Sequence, residues 1–202
     1  IVVVDNCYGE FVEKQEPIEA GADIIVGSLI KNPGGGLAPT GGYIAGKETL
    51  IQLISYRLTS PGIGCEVGSY ANTYQYFYQG FFMAPHVVAQ ALKAAQLFCR
   101  TFDKLNYNVL PKPGDDYGDI IASINFNTAK ELIDFVQTIQ SVSPVDSYVL
   151  PEPWDMPGYN HKVIMAAGTF VQGASIELSA DSPIKAPYIA YFQGALTYEH
   201  AK

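Results

Sequence analysis

Three residues whose side chains could take part in chemistry lie at or just beyond the ends of predicted β-strands. Asp5 directly follows an apolar run at residues 1–4. Lys31 lies shortly after a second apolar run at residues 24–27, and Ser28 stands between that run and the lysine. Ligands of open α/β sheets bind outside the carboxyl ends of the strands. This spacing predicts that a carboxylate, a hydroxyl and an amine meet around one ligand.

The ligand that needs both an acid and a lysine is pyridoxal 5'-phosphate (PLP). Its aldehyde bonds to a lysine amine, and its pyridine nitrogen needs a carboxylate that keeps the ring protonated. The Ser28 hydroxyl could donate to the phosphate, and the glycines at 34–36 let the backbone turn away without steric cost. Asp5, Ser28 and Lys31 are therefore the predicted cofactor-binding residues, and Lys31 is also the predicted catalytic acid and base.

Each of these residues also has an ordinary structural explanation. An aspartate at the end of a strand commonly caps a turn or a helix, and a single lysine near glycines commonly lies on the solvated surface. Only the joint arrangement favours a cofactor site.

The elements that must position these residues follow an α/β pattern. The predicted strands are residues 1–4, 24–27 and 43–45, and the predicted helices are residues 48–58, 66–78 and 85–106, the last beginning at Pro85. Together they predict that residues 1–106 form the carboxy-terminal part of a large domain. Its sheet is expected to be mostly parallel, and its last helix is expected to bridge to a second domain.

The remaining residues, 107–202, predict a small α+β domain. A loop rich in proline and aspartate at residues 110–116 precedes it. Its predicted elements are a strand at 120–126, a helix at 128–141 capped by Thr128 or Asn127, and strands at 163–167 and 175–179. Residues 150–159 contain three prolines and the only tryptophan, and they are predicted to be irregular.

The charge pattern excludes several classes of partner. The formal net charge is -8 and the lysines and arginines form no cluster, so nucleic acid and anionic membrane surfaces are not expected to bind. The apolar runs are much shorter than the roughly 20 residues of a membrane-spanning helix. Three widely spaced cysteines fit a reducing compartment, so the cytosol is the predicted location.

Two other kinds of site have little support. His86, His161 and His200 are scattered without ligand spacing, so no metal is predicted. Residues 41–47 nearly match the P-loop pattern G-x-x-x-x-G-K, but Glu48 stands where a serine or threonine should bind magnesium. That segment is predicted to be a strand rather than a phosphate loop.

Longer stretches of the sequence resemble a known group of enzymes. The segment VDN at 4–6, followed by AGADIIVGSLIK at 20–31, resembles fold-type I PLP enzymes of the cystathionine/methionine lyase group. The fuller segments DNCYGEF at 5–11, KNPGGG at 31–36 and RLTSPGIG at 57–64 resemble the methionine gamma-lyase-like proteins known as aluminium resistance proteins. The resemblance covers essentially the whole chain.

The resemblance implies a role for each of the three predicted residues. Asp5 matches the partner of the pyridine nitrogen, Ser28 matches a phosphate ligand, and Lys31 matches the lysine that forms the internal aldimine, a Schiff base. One departure concerns Ile30, because the lyase group commonly has a threonine before its lysine as a further phosphate ligand.

A second departure concerns the substrate. The lyase group anchors the carboxylate of the amino acid with the arginine of an Arg-Leu-Ser segment, whereas the comparable segment here begins with Glu177. A carboxylate cannot hold a carboxylate, so Arg57 or Lys185 takes that role or the substrate differs. Arg57 is the predicted substrate-binding residue, and its alternative role is that of a helix C-terminal cation.

The beginning of the chain carries a further expectation. Four consecutive β-formers at residues 1–4 predict a strand that is buried on both faces, so a preceding portion is expected. In the enzymes that the chain resembles, that portion holds the phosphate loop and the aromatic residue that stacks on the ring. Residues 1–202 alone are therefore not expected to be active.

The function that the resemblance implies is that of a PLP-dependent carbon-sulfur lyase acting on a sulfur-containing amino acid of the cystathionine or methionine type. The group also implies a homodimer or homotetramer with the active site at the subunit interface. The alternative is a noncatalytic PLP-binding or interaction protein on the same scaffold.

Overall fold

A computed structural model describes residues 1–58 and 60–202 of the chain as a mixed α/β structure with two sheets. The first sheet has the order β1 (Val3–Asp5), β2 (Ile24–Ser28) and β3 (Gly42–Gly46). Strands β1 and β2 are parallel, so Asp5 and Val26 are opposite each other near the carboxyl ends of both strands. This geometry brings the ends of the two predicted strands together as expected.

The prediction of a mostly parallel sheet is wrong for the third strand, because β3 pairs antiparallel with β2. A parallel connection needs a crossover element, usually an α-helix. Residues 29–41 contain only a single 3-10 turn, Asn32–Gly34, and the chain returns directly alongside β2. In this chain Ile1, Val2 and Val3 are exposed on an edge strand, so the burial of residues 1–4 on both faces stays a prediction.

The helices of this half agree with the prediction only in part. The first, α1 (Glu48–Leu58), has the predicted bounds. The second, α2 (Gln75–Lys104), is one continuous helix with Pro85 inside it, whereas two separate helices were predicted at 66–78 and 85–106. Residues 66–74 are not helical, so the start of the first predicted helix is also wrong.

An uninterrupted buried stripe explains why α2 continues through its proline. A proline inside a helix costs about 3 kcal/mol through a lost hydrogen bond and a clash with the preceding turn. Buried residues nevertheless recur at helical spacing on both sides of it, and their packing stabilises the whole helix. They are Gly80, Ala84, Val87, Val88, Ala91, Ala94, Ala95 and Cys99.

The second sheet has five antiparallel strands in the order β4-β5-β8-β7-β6. These strands are β4 (Asn108–Leu110), β5 (Ile121–Phe126), β6 (Val163–Ala166), β7 (Ser179–Pro183) and β8 (Tyr188–Gln193). Helices α3 (Ala129–Ser141) and α4 (Tyr198–Ala201) complete the fold. Thr128 caps α3 as predicted, because its hydroxyl accepts a hydrogen bond from the Glu131 N–H.

The strand predicted at 175–179 is wrong, because β7 begins only at Ser179. Leu178 has a φ of 149°, which a strand does not allow, and Glu177 turns its carboxylate toward the backbone of residues 170 and 171. Strands β4 and β8 were not predicted. The division of the chain near residue 106 stays a prediction.

The two faces of the second sheet have different environments. Burial alternates along β5, so that Ala122, Ile124 and Phe126 face the core with Phe192. Helices α2 and α3 pack on that face, and the Phe98 and Phe192 rings stack at 3.8 Å between centroids. On the opposite face, Met165 and Tyr191 are exposed. Within the described residues, no helix has both the length and the apolar character that crossing a membrane requires.

Helix α2 also approaches the segment that follows Lys31 at backbone distance. A Cβ atom on Gly80 would overlap the Gly34 carbonyl oxygen, and a Cβ atom on Gly35 would overlap the Gly80 carbonyl oxygen. Gly35 in addition has a φ of 53°. Gly35 and Gly80 therefore allow the close packing of this segment against α2, and this contact supports the turn that carries Lys31.

We expect Gly80→Ala to lower the free energy of unfolding of the full-length protein by about 1–3 kcal/mol, because the added methyl group must displace backbone. Alanine itself favours a helix by about 1 kcal/mol over glycine, so a stabilised variant would contradict the close contact. Gly118→Ala is the control, since a Cβ atom there has no heavy atom within 4 Å. Urea denaturation measures both.

Candidate active site

Lys31 lies at the turn between β2 and the 3-10 helix. Its backbone N–H approaches the Ser28 carbonyl oxygen at 3.4 Å, which turns the chain away from the strand. Its Nζ atom lies 4.3 Å from the centre of the Tyr8 ring, within the range of a cation–π contact. Partial burial acts to lower the pKa of Lys31, but the neighbouring Tyr8 and Cys7 raise this pKa above its ordinary value.

Asn32 holds the loop that carries Tyr8 against the lysine turn. Its side chain is fully buried, and its Nδ2 atom donates to the carbonyl oxygens of Tyr8 and Glu10, both at 3.0 Å. Tyr8 itself has a φ of 74°, a backbone conformation that needs such support. The residue directly after Lys31 therefore positions the aromatic ring beside it. The sequence analysis did not identify Asn32 or Tyr8.

Asp5 lies at the end of β1 and is exposed. The Cys7 N–H donates to its Oδ1 atom at 3.1 Å. Hydrogen bonds from the side chain and backbone of Cys7 hold the pKa of Asp5 below its usual range, and the charge of Lys31 adds to this effect. Ser28 ends β2, and its backbone interacts with the Cys7 thiol. The structure thus brings Asp5, Ser28 and Lys31 into one cluster around Cys7.

Arg57 lies in the last turn of α1, where it is exposed. In the described part of the chain, no hydrogen bond or ion pair joins it to Asp5, Ser28 or Lys31. Its position agrees with the alternative role of a helix C-terminal cation. Lys185 is exposed between β7 and β8. The assignment of a substrate-binding role to Arg57 stays a prediction.

Glu177 has a structural role. It is buried, and its two oxygens accept hydrogen bonds from the backbone N–H groups of Phe170 at 2.7 Å and Val171 at 2.8 Å. Burial raises the pKa of Glu177, and the two hydrogen bonds oppose that rise. This carboxylate therefore holds the loop at residues 167–178 in shape.

Ile30 also has a packing role. It packs against the buried cluster formed by α2 and the 167–178 loop, where a Cβ atom on Gly173 would touch its side chain. The apolar residue before the lysine thus anchors the lysine turn to the second half of the chain.

A cavity of about 190 Å³ lies between Tyr8 and the second sheet. The Tyr8 hydroxyl lies 3.1 Å from the Ser175 Oγ atom, and this hydrogen bond joins two residues separated by 167 positions in the chain. Tyr8 thus forms a wall shared by the Lys31 cluster and the cavity. Residues of β7 and β8 line its far side, and the sequence analysis did not identify them.

We expect Asn32→Asp to destabilise the full-length protein, because a carboxylate cannot donate to the Tyr8 and Glu10 carbonyl oxygens. Each buried group left unpaired costs about 1–3 kcal/mol, so the expected loss is about 3 kcal/mol or more. Thermal and urea unfolding measure the loss. Asn160→Asp, at an exposed position, is the matched control. Equal stability of the two variants would show that Asn32 does not hold the loop.

Comparisons with known proteins give consistent results. The family model described as methionine gamma-lyase matches residues 1–202. The chain is 55% identical to a carbon-sulfur lyase involved in aluminium resistance from Clostridium novyi NT, with a TM-score of 0.93 over 100% of this chain and 47% of that one. A protein from Listeria monocytogenes, named as a candidate cystathionine beta-lyase involved in aluminium resistance, is 57% identical, with a TM-score of 0.95 over 100% and 50% of the two chains.

The protein YnbB of Bacillus subtilis (strain 168) is 57% identical over 202 residues, which are 100% of this chain and 48% of that protein. The chain therefore spans about half the length of these relatives.

Proposed function

The chain belongs to the methionine gamma-lyase family, and from that membership we propose that it holds PLP through Lys31 in a carbon-sulfur lyase that acts on a sulfur-containing amino acid. The observation that carries the proposal is the cluster at the strand ends. There an amine lies over an aromatic ring, and it is close enough to a carboxylate for the two charges to interact. We propose the complete lyase activity only for a protein of the same length as the relatives, because this chain spans about half of that length.

The residues present fit the cofactor. The half-buried Lys31 supplies the amine for the aldehyde, and Asp5 supplies a carboxylate whose lowered pKa keeps it ionised. Ser28 is the candidate phosphate ligand of this chain. Ile30 is committed to packing, so further phosphate contacts must come from elsewhere. Among the described residues, we assign Lys31, Asp5 and Ser28 to the cofactor.

When bound, PLP supplies an electron-accepting ring that stabilises negative charge at the α-carbon of an amino acid. Asp5 provides the negative charge that favours a protonated pyridine nitrogen. The Lys31 amine takes a proton from the α-carbon and later returns one, as a general base and acid. Tyr8, fixed by Ser175 and by the Asn32 hydrogen bonds, limits the directions in which that amine can point.

The second candidate function is a noncatalytic PLP-binding or interaction protein. The two departures Ile30 and Glu177 suggested it, but both residues have packing roles that leave Asp5, Ser28 and Lys31 in place. Release of a thiol from a sulfur-containing amino acid would separate the two functions, because only the lyase produces one.

We also propose a homodimer or homotetramer, with the active site at the subunit interface. Large apolar side chains on the first turns of α2 support this, since Tyr76, Tyr78, Phe81 and Phe82 are all exposed. Neither nucleic acid nor a membrane is proposed as a partner, and the cytosolic location stays a prediction.

We expect the full-length protein to turn yellow with PLP, and borohydride to fix the cofactor on Lys31, as peptide mass mapping would show. Lys31→Ala should lose the visible absorbance and thiol release while keeping its stability, because the amine serves chemistry more than packing. Lys14→Ala, at an exposed lysine, is the control and should retain both. A wild-type protein that stays colourless and unlabelled would exclude the cofactor. A yellow protein without thiol release would favour the noncatalytic function.

We expect Asp5→Asn to keep the shape of the strand end but to lower kcat by about 10²–10³-fold, as for the loss of a strong electrostatic group. Binding of PLP should persist, with its absorbance shifted because the ring nitrogen is less protonated. Asp116→Asn, on the exposed 111–116 loop, is the control. If kcat and the spectrum were unchanged, Asp5 would only cap a turn and would not interact with the cofactor.

A further inference from the structure

A pocket apart from the Lys31 cluster lies where the loop after β1 meets β2, β3 and α2. Its volume of about 360 Å³ falls within the roughly 300–1,000 Å³ of pockets that enclose a whole small molecule. The Phe11 ring of the loop and the Phe81 ring of α2 meet edge to face at 5.5 Å between centroids, and together they form one wall. None of Asp5, Ser28 and Lys31 is among the described residues that line this pocket.

A buried carboxylate lines the pocket with only one of its oxygens paired. Only 4% of Glu10 is exposed, and its Oε1 atom accepts a hydrogen bond from the Tyr43 hydroxyl at 2.8 Å. The Oε2 atom has no partner in the described structure. Gly27 makes room for this pair, because a Cβ atom there would overlap both the Tyr43 ring and the Glu10 Oε1 atom. Buried polar atoms usually find partners, so the Glu10 side chain lacks a hydrogen-bond donor.

A second carboxylate lines the same pocket. Glu16 accepts hydrogen bonds from the Asn6 side chain at 2.9 Å and from the Phe11 N–H at 3.0 Å, and these bonds fix its position. Burial raises the pKa of Glu10, the Tyr43 hydrogen bond opposes the rise, and the negative charge of Glu16 adds to it. The two acids are therefore close enough to repel each other.

No positive charge of the described residues compensates these acids. Lysine, arginine and histidine are absent from the described lining of the pocket, and no ion pair within the described structure involves Glu10 or Glu16. A buried carboxylate without a cation is costly, and a second carboxylate beside it increases the cost. A positively charged ligand would lower it.

The remaining walls indicate which kind of cation fits. Besides the Phe11, Phe81 and Tyr43 rings, the lining includes Leu29 and Pro33. Aromatic rings attract a cation through their faces, and apolar side chains stabilise an apolar body by burying it. An inorganic cation would gain nothing from the apolar walls. An organic ammonium ion with an apolar body would use the carboxylates, the rings and the apolar side chains together.

We propose that this pocket is a binding site for an organic ammonium ion whose nitrogen carries at least one hydrogen and whose body is apolar. The ammonium N–H donates to the Glu10 Oε2 atom, Glu10 and Glu16 balance its charge, and the apolar body lies against the Phe11 and Phe81 rings. A neutral molecule of the same shape fills the pocket but leaves the two acids without a cation. The site does not depend on the lyase function, because it uses other residues.

A matched pair of compounds tests the site by calorimetry in the full-length, PLP-loaded protein. N-methyl-2-phenylethylamine is a cation at neutral pH, and methyl 2-phenylethyl ether has an oxygen atom in place of its nitrogen. A secondary amine is used because a primary amine would react with the PLP aldehyde. We expect the amine to bind with an affinity about 10-fold or more above that of the ether.

The Glu10→Gln variant keeps the size of the side chain and removes its charge. We expect it to lower the affinity for the amine by about 10- to 100-fold, the usual loss for a hydrogen bond to a charged group, and to change the affinity for the ether by less than about 3-fold. Glu13→Gln, at an exposed position of the same loop, is the control and should bind both compounds as the wild type does.

Glu16→Gln is the second variant and replaces the test if Glu10→Gln does not fold. It removes the other charge from a half-buried position, and we expect it to weaken binding of the amine by about 3- to 10-fold and to leave binding of the ether unchanged. Equal affinities of the two compounds in the wild type, or a preference for the amine that persists in whichever of these variants folds, would overturn the proposal. Binding of neither compound, as when a second copy or another part of the full-length protein fills the pocket, would overturn it too.

Discussion

The two hydrogen bonds that Asn32 donates to the Tyr8 and Glu10 carbonyl oxygens are the interaction on which the candidate site depends. They join the segment after β2 to the loop after β1, so the strand-end carboxylate and the lysine are held in one cluster. Because Tyr8 then contacts Lys31 through its ring and Ser175 through its hydroxyl, the same hydrogen bonds also link the two halves of the chain.

Helix α2 packs against the segment that carries Asn32. Its Gly80 meets Gly34 and Gly35 at backbone distance, while its later turns pack against the second sheet. Rigid packing at both ends explains why the helix tolerates Pro85. A break at the proline would let the lysine turn and the second sheet move apart, and the cavity between them would lose its definition.

The sequence predicted what depends on local signals. Strand-end positions predicted that Asp5, Ser28 and Lys31 lie close together, and α1 and the Thr128 cap followed from spacing and residue type. It did not predict the continuity of α2 or the start of β7, because tertiary packing overrides Pro85 and the buried carboxylate of Glu177 bends the chain before Ser179.

Asn32, Tyr8 and Asp181 could not be predicted for a related reason. Each depends on a partner far away in the chain, and nothing in their immediate neighbours distinguishes them from turn or strand residues. In β8, by contrast, the aromatic and β-branched residues at 188–193 are themselves a strand signal.

An antiparallel sheet with one face in the core must leave its other face to solvent or to a partner. Here Tyr8 of the first half of the chain covers part of that face, and the strands below it carry a carboxylate, an amide and a hydroxyl beside apolar residues such as Met165. The Ser179 and Gln193 side chains are buried with one unpaired oxygen each, which costs stability. The second sheet therefore gives up packing energy on the face that adjoins Tyr8.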